Sequence, residues 1–156
     1  MNLFRDTYES IMENLEESSI TLDIPRQAVF IGRKEVATLE VDEEKKTNLK
    51  YILSLFEEYP SIQKFLKTLK LKDRFDYVWV NTIKVLPQQR GKGLGSLILK
   101  KIFNKYPSGS LVSLNVGEIS TGKTKSSIQD LISFYQKLGF QIVKSEDGYT
   151  YGFKIL

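Results

Sequence analysis

Residues Tyr77–Leu99 read YVWVNTIKVLPQQRGKGLGSLIL, and this stretch predicts a strand, a glycine-rich turn and a helix in succession. Its first part is apolar and rich in β-branched and aromatic side chains, which is typical of a largely buried strand. Pro87 has no amide hydrogen to contribute to a ladder, so we expect the strand to end near Leu86. Beyond the glycines, apolar residues recur at helical spacing, at Leu94, Leu97, Ile98 and Ile102.

The turn Arg90–Gly95 (RGKGLG), called the glycine turn below, has the composition of an anion-binding loop. Glycines let the backbone turn tightly and bring several amide hydrogens to a helix start, where the helix dipole also favours negative charge. Arg90 and Lys92 add full positive charges. These features predict a phosphate or pyrophosphate ligand. A merely soluble turn before a surface helix is the alternative, because short glycine patterns are weak signals.

Two motifs resemble those of the GNAT superfamily, the acetyl-CoA-dependent N-acetyltransferases. The glycine turn fits the family signature Arg/Gln-x-x-Gly-x-Gly/Ala, and it follows a strand as that family requires. Phe134–Phe140 (FYQKLGF) resembles the family's later Tyr-x-x-x-Gly-Phe segment at the end of a helix. The resemblance covers the chain from Tyr77 to Leu156, and the two motifs in this order are more specific than either alone.

The resemblance implies one domain over residues 1–156 with a mixed α/β fold, in which helices flank a mostly antiparallel central sheet. The sheet is expected to splay where the strand ending at Val85 leaves its neighbour at Ser110–Val116. Residues 75–156 would form the acetyl-CoA-binding core, and residues 1–74 a variable part that holds the acceptor side. This first part departs from the family pattern, because two helices are predicted directly before the cofactor strand.

The other elements are predicted from periodicity, breakers and turn residues. Helices are expected at Leu3–Glu17, Lys46–Tyr59, Gly93–Lys105 and Ser126–Leu138. Pro60 is expected to break the second of these, and Ser61 to cap a further helix that follows it. Strands are expected at Ser18–Asp23, in a hairpin of Gln27–Ile31 with Glu35–Val41, and in a hairpin of Phe140–Val143 with Tyr149–Phe153 around Asp147-Gly148.

The resemblance also implies that coenzyme A lies in the splay, with acetyl-CoA as co-substrate. The pantetheine arm would pair with strand backbone, and amides of the glycine turn would hold the pyrophosphate. The implied binding residues are Ile83, Lys84, Val85, Gln89, Arg90, Gly91, Lys92, Gly93, Leu94, Gly95, Ser96 and Ser127. Ile128 and Leu131 stand where the family often has Asn and Ala, so some cofactor contacts are expected either to be missing or to be replaced by Ser126 or Ser127.

The implied reaction is direct attack of a primary amine on the thioester. A free amine is mostly protonated at neutral pH, since the reference pKa of lysine is about 10.4, so a base or water relay must take its proton. Tyr135 matches the family's general acid for the departing thiolate, and a core tyrosine is the alternative. Glu118 and Asn81 are candidates for holding the relay water, with structural roles as the alternative for both.

The composition excludes several chemistries. The chain of 156 residues has no Cys and no His, so it has no thiolate or imidazole nucleophile and no metal site built from them, and no metal is expected. With 41% hydrophobic and 27% charged residues, it has the composition of an ordinary globular protein. No apolar run approaches the roughly 20 residues of a membrane helix, and no signal-peptide pattern begins the chain. We therefore expect a cytoplasmic protein.

The net charge of +4 suits a polyanionic ligand such as coenzyme A and does not by itself indicate nucleic acid. Acidic residues crowd at Asp6–Glu17 and at Asp42–Glu44, whereas basic residues cluster from Lys64 to Arg74. The basic cluster indicates a solvated helix face, with a docking site for an acidic partner or RNA as the alternative. The sequence does not identify the acceptor amine, which belongs to a small molecule, a peptide or a protein. It also does not decide whether the protein forms a homodimer.

Two other functions compete with an acetyltransferase. Gly117–Thr124 (GEISTGKT) matches the Walker A pattern that binds nucleotide phosphates. Against it, no later apolar strand ends in an acidic residue that would hold magnesium. A non-catalytic GNAT-like module, which binds acyl-CoA or acts through a protein interface, is the second alternative, and the unusual first half of the chain favours it.

Overall fold

The computed structural model describes residues 16–91, 93–116 and 128–156. The predicted helix Leu3–Glu17 lies outside these residues except for its last two positions, and the Walker-type segment Gly117–Thr124 lies wholly outside them. Three predicted site residues, Lys92, Glu118 and Ser127, also fall outside the described part.

Seven strands and four α-helices are present in the described residues. In chain order they are β1 (Ile20–Asp23), β2 (Ala28–Ile31), β3 (Lys34–Thr47), α1 (Leu49–Leu55), α2 (Pro60–Thr68), β4 (Phe75–Val85), α3 (Leu94–Lys105), β5 (Leu111–Asn115), α4 (Ile128–Lys137), β6 (Gln141–Lys144) and β7 (Thr150–Ile155). Short 3-10 turns occupy Glu17–Ser19 and Pro87–Gln89. None of the described helices is long and apolar enough to cross a membrane.

The strands form a seven-stranded sheet in the order β1-β2-β3-β4-β5-β7-β6. The pairs β1–β2, β2–β3, β5–β7 and β6–β7 are antiparallel. β4 and β5 are parallel, with Tyr77 opposite Leu111 at one end and Val80 opposite Leu114 at the other, and β4 continues past the last pair to Val85. The predicted mixed α/β fold, with helices flanking a mostly antiparallel sheet, is therefore confirmed.

The described residues divide into two compact units, and the first consists of those up to Glu40 together with Ile83–Lys105. Helix α3 packs against β1 in this unit. Its apolar face follows the helical repeat, and the four side chains of that face are at most 2% exposed: Leu94, Ile98, Leu99 and Ile102. Burial of this apolar face stabilises helix α3, which begins at Leu94 within the glycine turn.

The second unit consists of Val41–Thr82 and Tyr106–Leu156, and its core is rich in aromatic rings. The ring of Phe56 in the turn after α1 meets those of Tyr151 and Phe153 edge-on, at centroid distances of 5.6 and 5.7 Å. Helix α2 packs against β6 in the same unit. The two helices that precede β4 are thereby part of this core.

The charged segment that follows Val41 is strand rather than the beginning of a helix. β3 runs on to Thr47, and α1 covers only Leu49–Leu55. Asn48 caps this helix, because its Oδ1 accepts the backbone N–H of Tyr51 at 2.9 Å. The predicted helix Lys46–Tyr59 is therefore wrong at both ends.

Pro60 begins a helix, and the predicted capping role of Ser61 is wrong. The fixed φ of proline suits the first helical position, and the N-cap of α2 is Tyr59, which makes no side-chain capping bond. Ser61 lies inside the first turn, where its N–H and hydroxyl donate to Oε1 of Glu146 at 2.8 and 2.5 Å. The acceptor for this helix start therefore comes from the β6–β7 turn.

Both predicted hairpins are confirmed. β2 and β3 pair across Gly32, which has a φ of +61°, and β6 and β7 pair across Asp147-Gly148, where Gly148 has a φ of +90°. Glycine adopts this left-handed region without the steric cost that a side chain brings, which is why the turn residues could be recognised from the sequence.

Candidate functional site

The glycine turn is folded back onto the end of β4. The 3-10 turn that precedes it closes with a bond from the Gln89 N–H to the carbonyl of Leu86 at 2.8 Å. The Nε of Arg90 donates to the carbonyl of Val85 at 3.2 Å. The strand end, the short turn and Arg90 therefore hold one another within the first unit.

Gly91 and Gly93 adopt backbone conformations that require glycine. Their φ angles are +80° and +75°, and a methyl group built on either would meet no atom within 4 Å. Both residues are exposed. Glycine is favoured at both positions because of the backbone angle and not because of crowding. The space beside each residue is open to a ligand.

Helix α3 begins immediately after Gly93, whose carbonyl accepts the N–H of Leu97 at 3.3 Å. The amides of Leu94, Gly95 and Ser96 belong to the first turn, where backbone N–H groups have no acceptor within the helix. Such a helix start, next to left-handed glycines and the charge of Arg90, is chemically suited to an anion.

The other predicted cofactor residues differ in how much of their side chain is available. Ile83, Gln89 and Leu94 are buried, so they face a ligand only through backbone groups. Lys84 is exposed and Val85 half-buried. The carbonyl of Val85 accepts a hydrogen bond from Nε of Arg90. This bond uses one of the backbone groups that the sequence analysis predicted to pair with the pantetheine arm.

Tyr135 lies in the last turn of α4 and is almost fully buried, with 1% of its surface exposed. Its ring meets Phe134 and Phe140 edge-on, at centroid distances of 5.1 and 5.7 Å. Burial raises the pKa of its hydroxyl, so this group stays protonated well above neutral pH. A protonated phenol can serve as a proton donor and cannot serve as a base at neutral pH.

The segment Tyr135–Phe140 also forms the C-terminal cap of α4. The Phe140 N–H donates to the carbonyl of Tyr135 at 3.0 Å, and the Gly139 N–H donates to the carbonyl of Gln136 at 3.0 Å. Gly139 has a φ of +95°. These bonds, with the contact between Tyr135 and Phe140, are those of a Schellman motif. The Tyr-x-x-x-Gly-Phe pattern therefore has a structural reason besides any catalytic one.

Asn81, a predicted relay residue, is half-buried on β4, and its Nδ2 donates to Oδ2 of Asp42 on β3. Both residues line a cavity of about 400 Å³ in the second unit. We call this the acidic–aromatic cavity, after its two kinds of lining residue. Besides Asn81 and Leu55, the lining consists of the carboxylates Asp42, Glu43 and Glu44 and of six aromatic residues, Tyr51, Phe56, Tyr59, Tyr77, Trp79 and Tyr151.

The aromatic side of the cavity is a cluster of rings in mutual contact. Trp79 lies 6.1 Å from Tyr151 and 6.5 Å from Phe56, and Tyr59 lies 6.3 Å from Tyr151, measured between centroids. The hydroxyl of Tyr77 shares a 2.5 Å hydrogen bond with the hydroxyl of Ser113, and burial raises the pKa of Tyr77. These contacts fix the floor of the cavity.

Tyr59 is held at the rim of the cavity by a carboxylate of the β6–β7 turn. Its hydroxyl donates to Oδ2 of Asp147 at 2.9 Å, which is the main reason that the pKa of Tyr59 is raised to about 12. The pKa of Asp147 is lowered, first by the hydroxyl of Ser145 and further by that of Tyr59. The rim therefore carries a neutral phenol and an ionised carboxylate at neutral pH.

Sequence reasoning missed this cavity as a site. The acidic run Asp42–Glu44 stands out in the sequence, but these three residues alone predict no particular ligand. The lining residues come from β3, α1, the turn after α1, β4 and β7, so no local pattern brings them together. The exposure of Tyr51 and Leu55, at 41% and 48%, marks the site in the structure and has no counterpart in the sequence pattern.

A family model for the acetyltransferase (GNAT) domain matches residues 60–142, a little over half of the chain. The chain therefore belongs to the GNAT acetyltransferase family. The predicted resemblance and the predicted class, an acyltransferase, are confirmed. No curated protein matches the chain by sequence.

Several solved structures are similar to this fold. The Bacillus subtilis N-acetyltransferase YlbP, in complex with coenzyme A, is 16% identical with a TM-score of 0.45, over 83% of this chain and 66% of that one. Arabidopsis thaliana Naa50, in complex with a bisubstrate analogue, is 20% identical with a TM-score of 0.47, over 81% and 68%. A putative arylalkylamine N-acetyltransferase of the yellow fever mosquito is 13% identical with a TM-score of 0.49, over 82% and 62%. The chain thus spans about two thirds of the length of these proteins.

Proposed function

We propose that this protein transfers an acetyl group from acetyl-CoA to a primary amine of a small molecule or peptide. The glycine turn carries the proposal, because two open glycines at left-handed φ lead into a helix start, where the first-turn amides have no acceptor within the helix. Membership of the GNAT family supports the same reaction class. Cytoplasmic location and a homodimer stay predictions.

In this proposal the pyrophosphate of coenzyme A binds the amides from Arg90 to Ser96, and Arg90 and Lys92 supply positive charge. The pantetheine arm pairs with the backbone of Ile83 and Lys84, at the end of β4. That part of β4 lies beyond Val80, the last residue that pairs with β5. Ser127 and Gln89 are further candidate contacts.

The reaction begins with attack of the neutral amine nitrogen on the thioester carbonyl. A carbon–nitrogen bond forms, the carbon–sulfur bond breaks, and the thiolate of coenzyme A takes a proton from the hydroxyl of Tyr135. The Tyr135 hydroxyl is protonated at neutral pH, as this role requires, while burial raises its pKa and so makes transfer of its proton to the thiolate less favourable. The proton lost by the amine leaves through a water held by Asn81 or Glu118.

A matched pair of variants tests the cofactor assignment. Gly93→Asp puts a carboxylate into the glycine turn, and Gly32→Asp puts one at another exposed glycine of the same unit. The two sites are comparable, since both glycines have positive φ, +75° and +61°, with no atom within 4 Å of an added methyl group. Any effect of strain or net charge is therefore shared.

Calorimetric titration with acetyl-CoA gives the readout. We expect the wild type and Gly32→Asp to bind alike and Gly93→Asp to show no binding, because the new charge repels the pyrophosphate. Retained affinity in Gly93→Asp would remove the assignment of the glycine turn. Titration with magnesium-ATP in parallel tests the Walker-type alternative, and binding of ATP alone would replace the proposed function.

A further inference from the structure

We infer that the acceptor of the proposed reaction is a small diamine or polyamine, bound in the acidic–aromatic cavity of the second unit. The inference rests on the proposed function and adds to it the chemical class of the substrate. It is drawn from the lining of the cavity, its size and its negative charge, which no described lysine or arginine pairs.

The carboxylates of the cavity have no lysine or arginine partner in the described part of the chain, and Asp42 accepts a hydrogen bond from the neutral amide of Asn81. Asp42, Glu43 and Glu44 are all exposed, and no described lysine or arginine lies within 4.0 Å of their carboxylates. Strand alternation puts Asp42 and Glu44 on one face of β3 and Glu43 on the other, so a cation near Asp42 and Glu44 is attracted by both carboxylates and relieves their mutual repulsion. A ligand with one positive charge would neutralise only part of it. The charge therefore favours an acceptor with two or more amines.

The aromatic side of the cavity suits the rest of such a molecule. The methylene groups between the amines of a polyamine are apolar and pack on the rings of Trp79 and Tyr151. The faces of Trp and Tyr also attract an ammonium group within about 6 Å of the ring centroid. Tyr51, which is 41% exposed, adds a ring at the open side of the cavity. Rings and carboxylates together recognise cations joined by short apolar chains.

The size of the cavity favours a small molecule. A volume of about 400 Å³ lies near the lower end of the roughly 300–1,000 Å³ of small-molecule sites. A folded protein surface would need a larger open area. Along β4, moreover, Trp79 and Asn81 stand only a few positions before Ile83 and Lys84, which the proposed function assigns to the pantetheine arm.

The single tryptophan of the chain, Trp79, lines the cavity and reports its occupancy directly. Its fluorescence is titrated with spermidine, putrescine, butylamine and butanediol in the absence of acetyl-CoA. We expect saturable changes with spermidine and putrescine, at least about tenfold weaker binding of butylamine, and no effect of butanediol. Added salt should weaken the binding, because the carboxylates are exposed.

Two variants and a control identify the groups involved. Glu44→Gln and Tyr51→Leu should each weaken spermidine binding by about threefold to tenfold. Glu40→Gln is the control, since Glu40 is an exposed carboxylate of the same strand that does not line the cavity, and it should bind like the wild type. Equal binding of butylamine and putrescine, or equal binding in Glu44→Gln, would overturn the inference.

Steady-state acetylation separates this inference from the proposed function. Glu44→Gln should raise KM for spermidine by a similar factor while leaving the affinity for acetyl-CoA unchanged. Acetylation of amines that is insensitive to Glu44→Gln would refute the polyamine acceptor and leave the acetyltransferase. Failure to bind acetyl-CoA, with saturable spermidine binding, would instead refute the acetyltransferase and leave a polyamine site.

Discussion

The C-terminal cap of α4 offers a test of whether the Tyr-x-x-x-Gly-Phe pattern is needed for the fold. Gly139 sits at φ +95°, and an added methyl carbon would lie 2.4 Å from Nζ of Lys154. The end of a lysine side chain can move, so the main cost of Gly139→Ala is the left-handed backbone, roughly 1–2 kcal/mol. For a chain of this length, each kcal/mol lowers Tm by roughly 2–4 °C. We therefore expect Tm to fall by about 2–8 °C.

Urea denaturation followed by circular dichroism measures the free energy of unfolding directly. Gly139→Asn is the matched variant, because Asn adopts left-handed φ more readily than Ala and also occurs at this cap position. It also has to displace Lys154, so it separates the backbone cost from the contact. We expect a smaller loss for Asn than for Ala. An unchanged free energy of unfolding in Gly139→Ala, or an equal loss in both, would refute the cap-based reasoning.

Two further predictions follow from hydroxyl and carboxylate groups. Tyr135→Phe should lower kcat at least about tenfold with acetyl-CoA affinity unchanged in calorimetry, since only the proposed proton donor is removed; equal turnover would retire the acid role. The pKa of Glu146 is lowered below its ordinary 4.5, first by the Ser61 hydroxyl and then by the Ser61 amide. Because the folded pKa lies below the unfolded one, its stabilising effect is present above about pH 4.5 and is lost as pH falls through the folded value. Tm should therefore drop more steeply from pH 5 to pH 3 in the wild type than in Glu146→Gln, as measured by thermal scans; parallel pH profiles would contradict this.

The elements that sequence reasoning predicted well are those whose causes are local. The order of strand, turn and helix around Pro87 follows from apolar periodicity and from a residue that cannot continue a ladder. The glycine turn is recognisable because left-handed φ angles at Gly91 and Gly93 demand a particular residue type. The same holds for Gly148 in the β6–β7 hairpin.

The elements that sequence reasoning missed are stabilised by residues far away in the chain. The charged end of β3 is held by bonds from Arg74 to the carbonyl of Lys46 at 3.1 Å and from the Lys46 N–H to Asp76 at 3.0 Å. Those partners are 28 and 30 residues away, so the segment resembles a helix start when it is read alone. The start of α2 is likewise held by Glu146, 85 residues beyond Ser61.

The two candidate sites differ in the same way. The glycine turn is a continuous run of residues with characteristic backbone angles, so a motif describes it well. The acidic–aromatic cavity collects side chains from four elements and the turn after α1, and no motif describes it. A family match therefore says more about the donor of the acetyl group than about its acceptor.

Tyr135 shows how one residue can satisfy both a structural and a chemical demand. Its carbonyl accepts the Phe140 N–H and its ring packs on Phe140, and both contacts would survive in phenylalanine. The hydroxyl takes no part in this cap, and burial keeps it protonated. If the position serves the cap alone, Tyr135→Phe should keep both the stability and the turnover of the wild type. Because the cap uses the ring and the carbonyl only, a loss of turnover at unchanged stability would assign the proposed acid role to the hydroxyl.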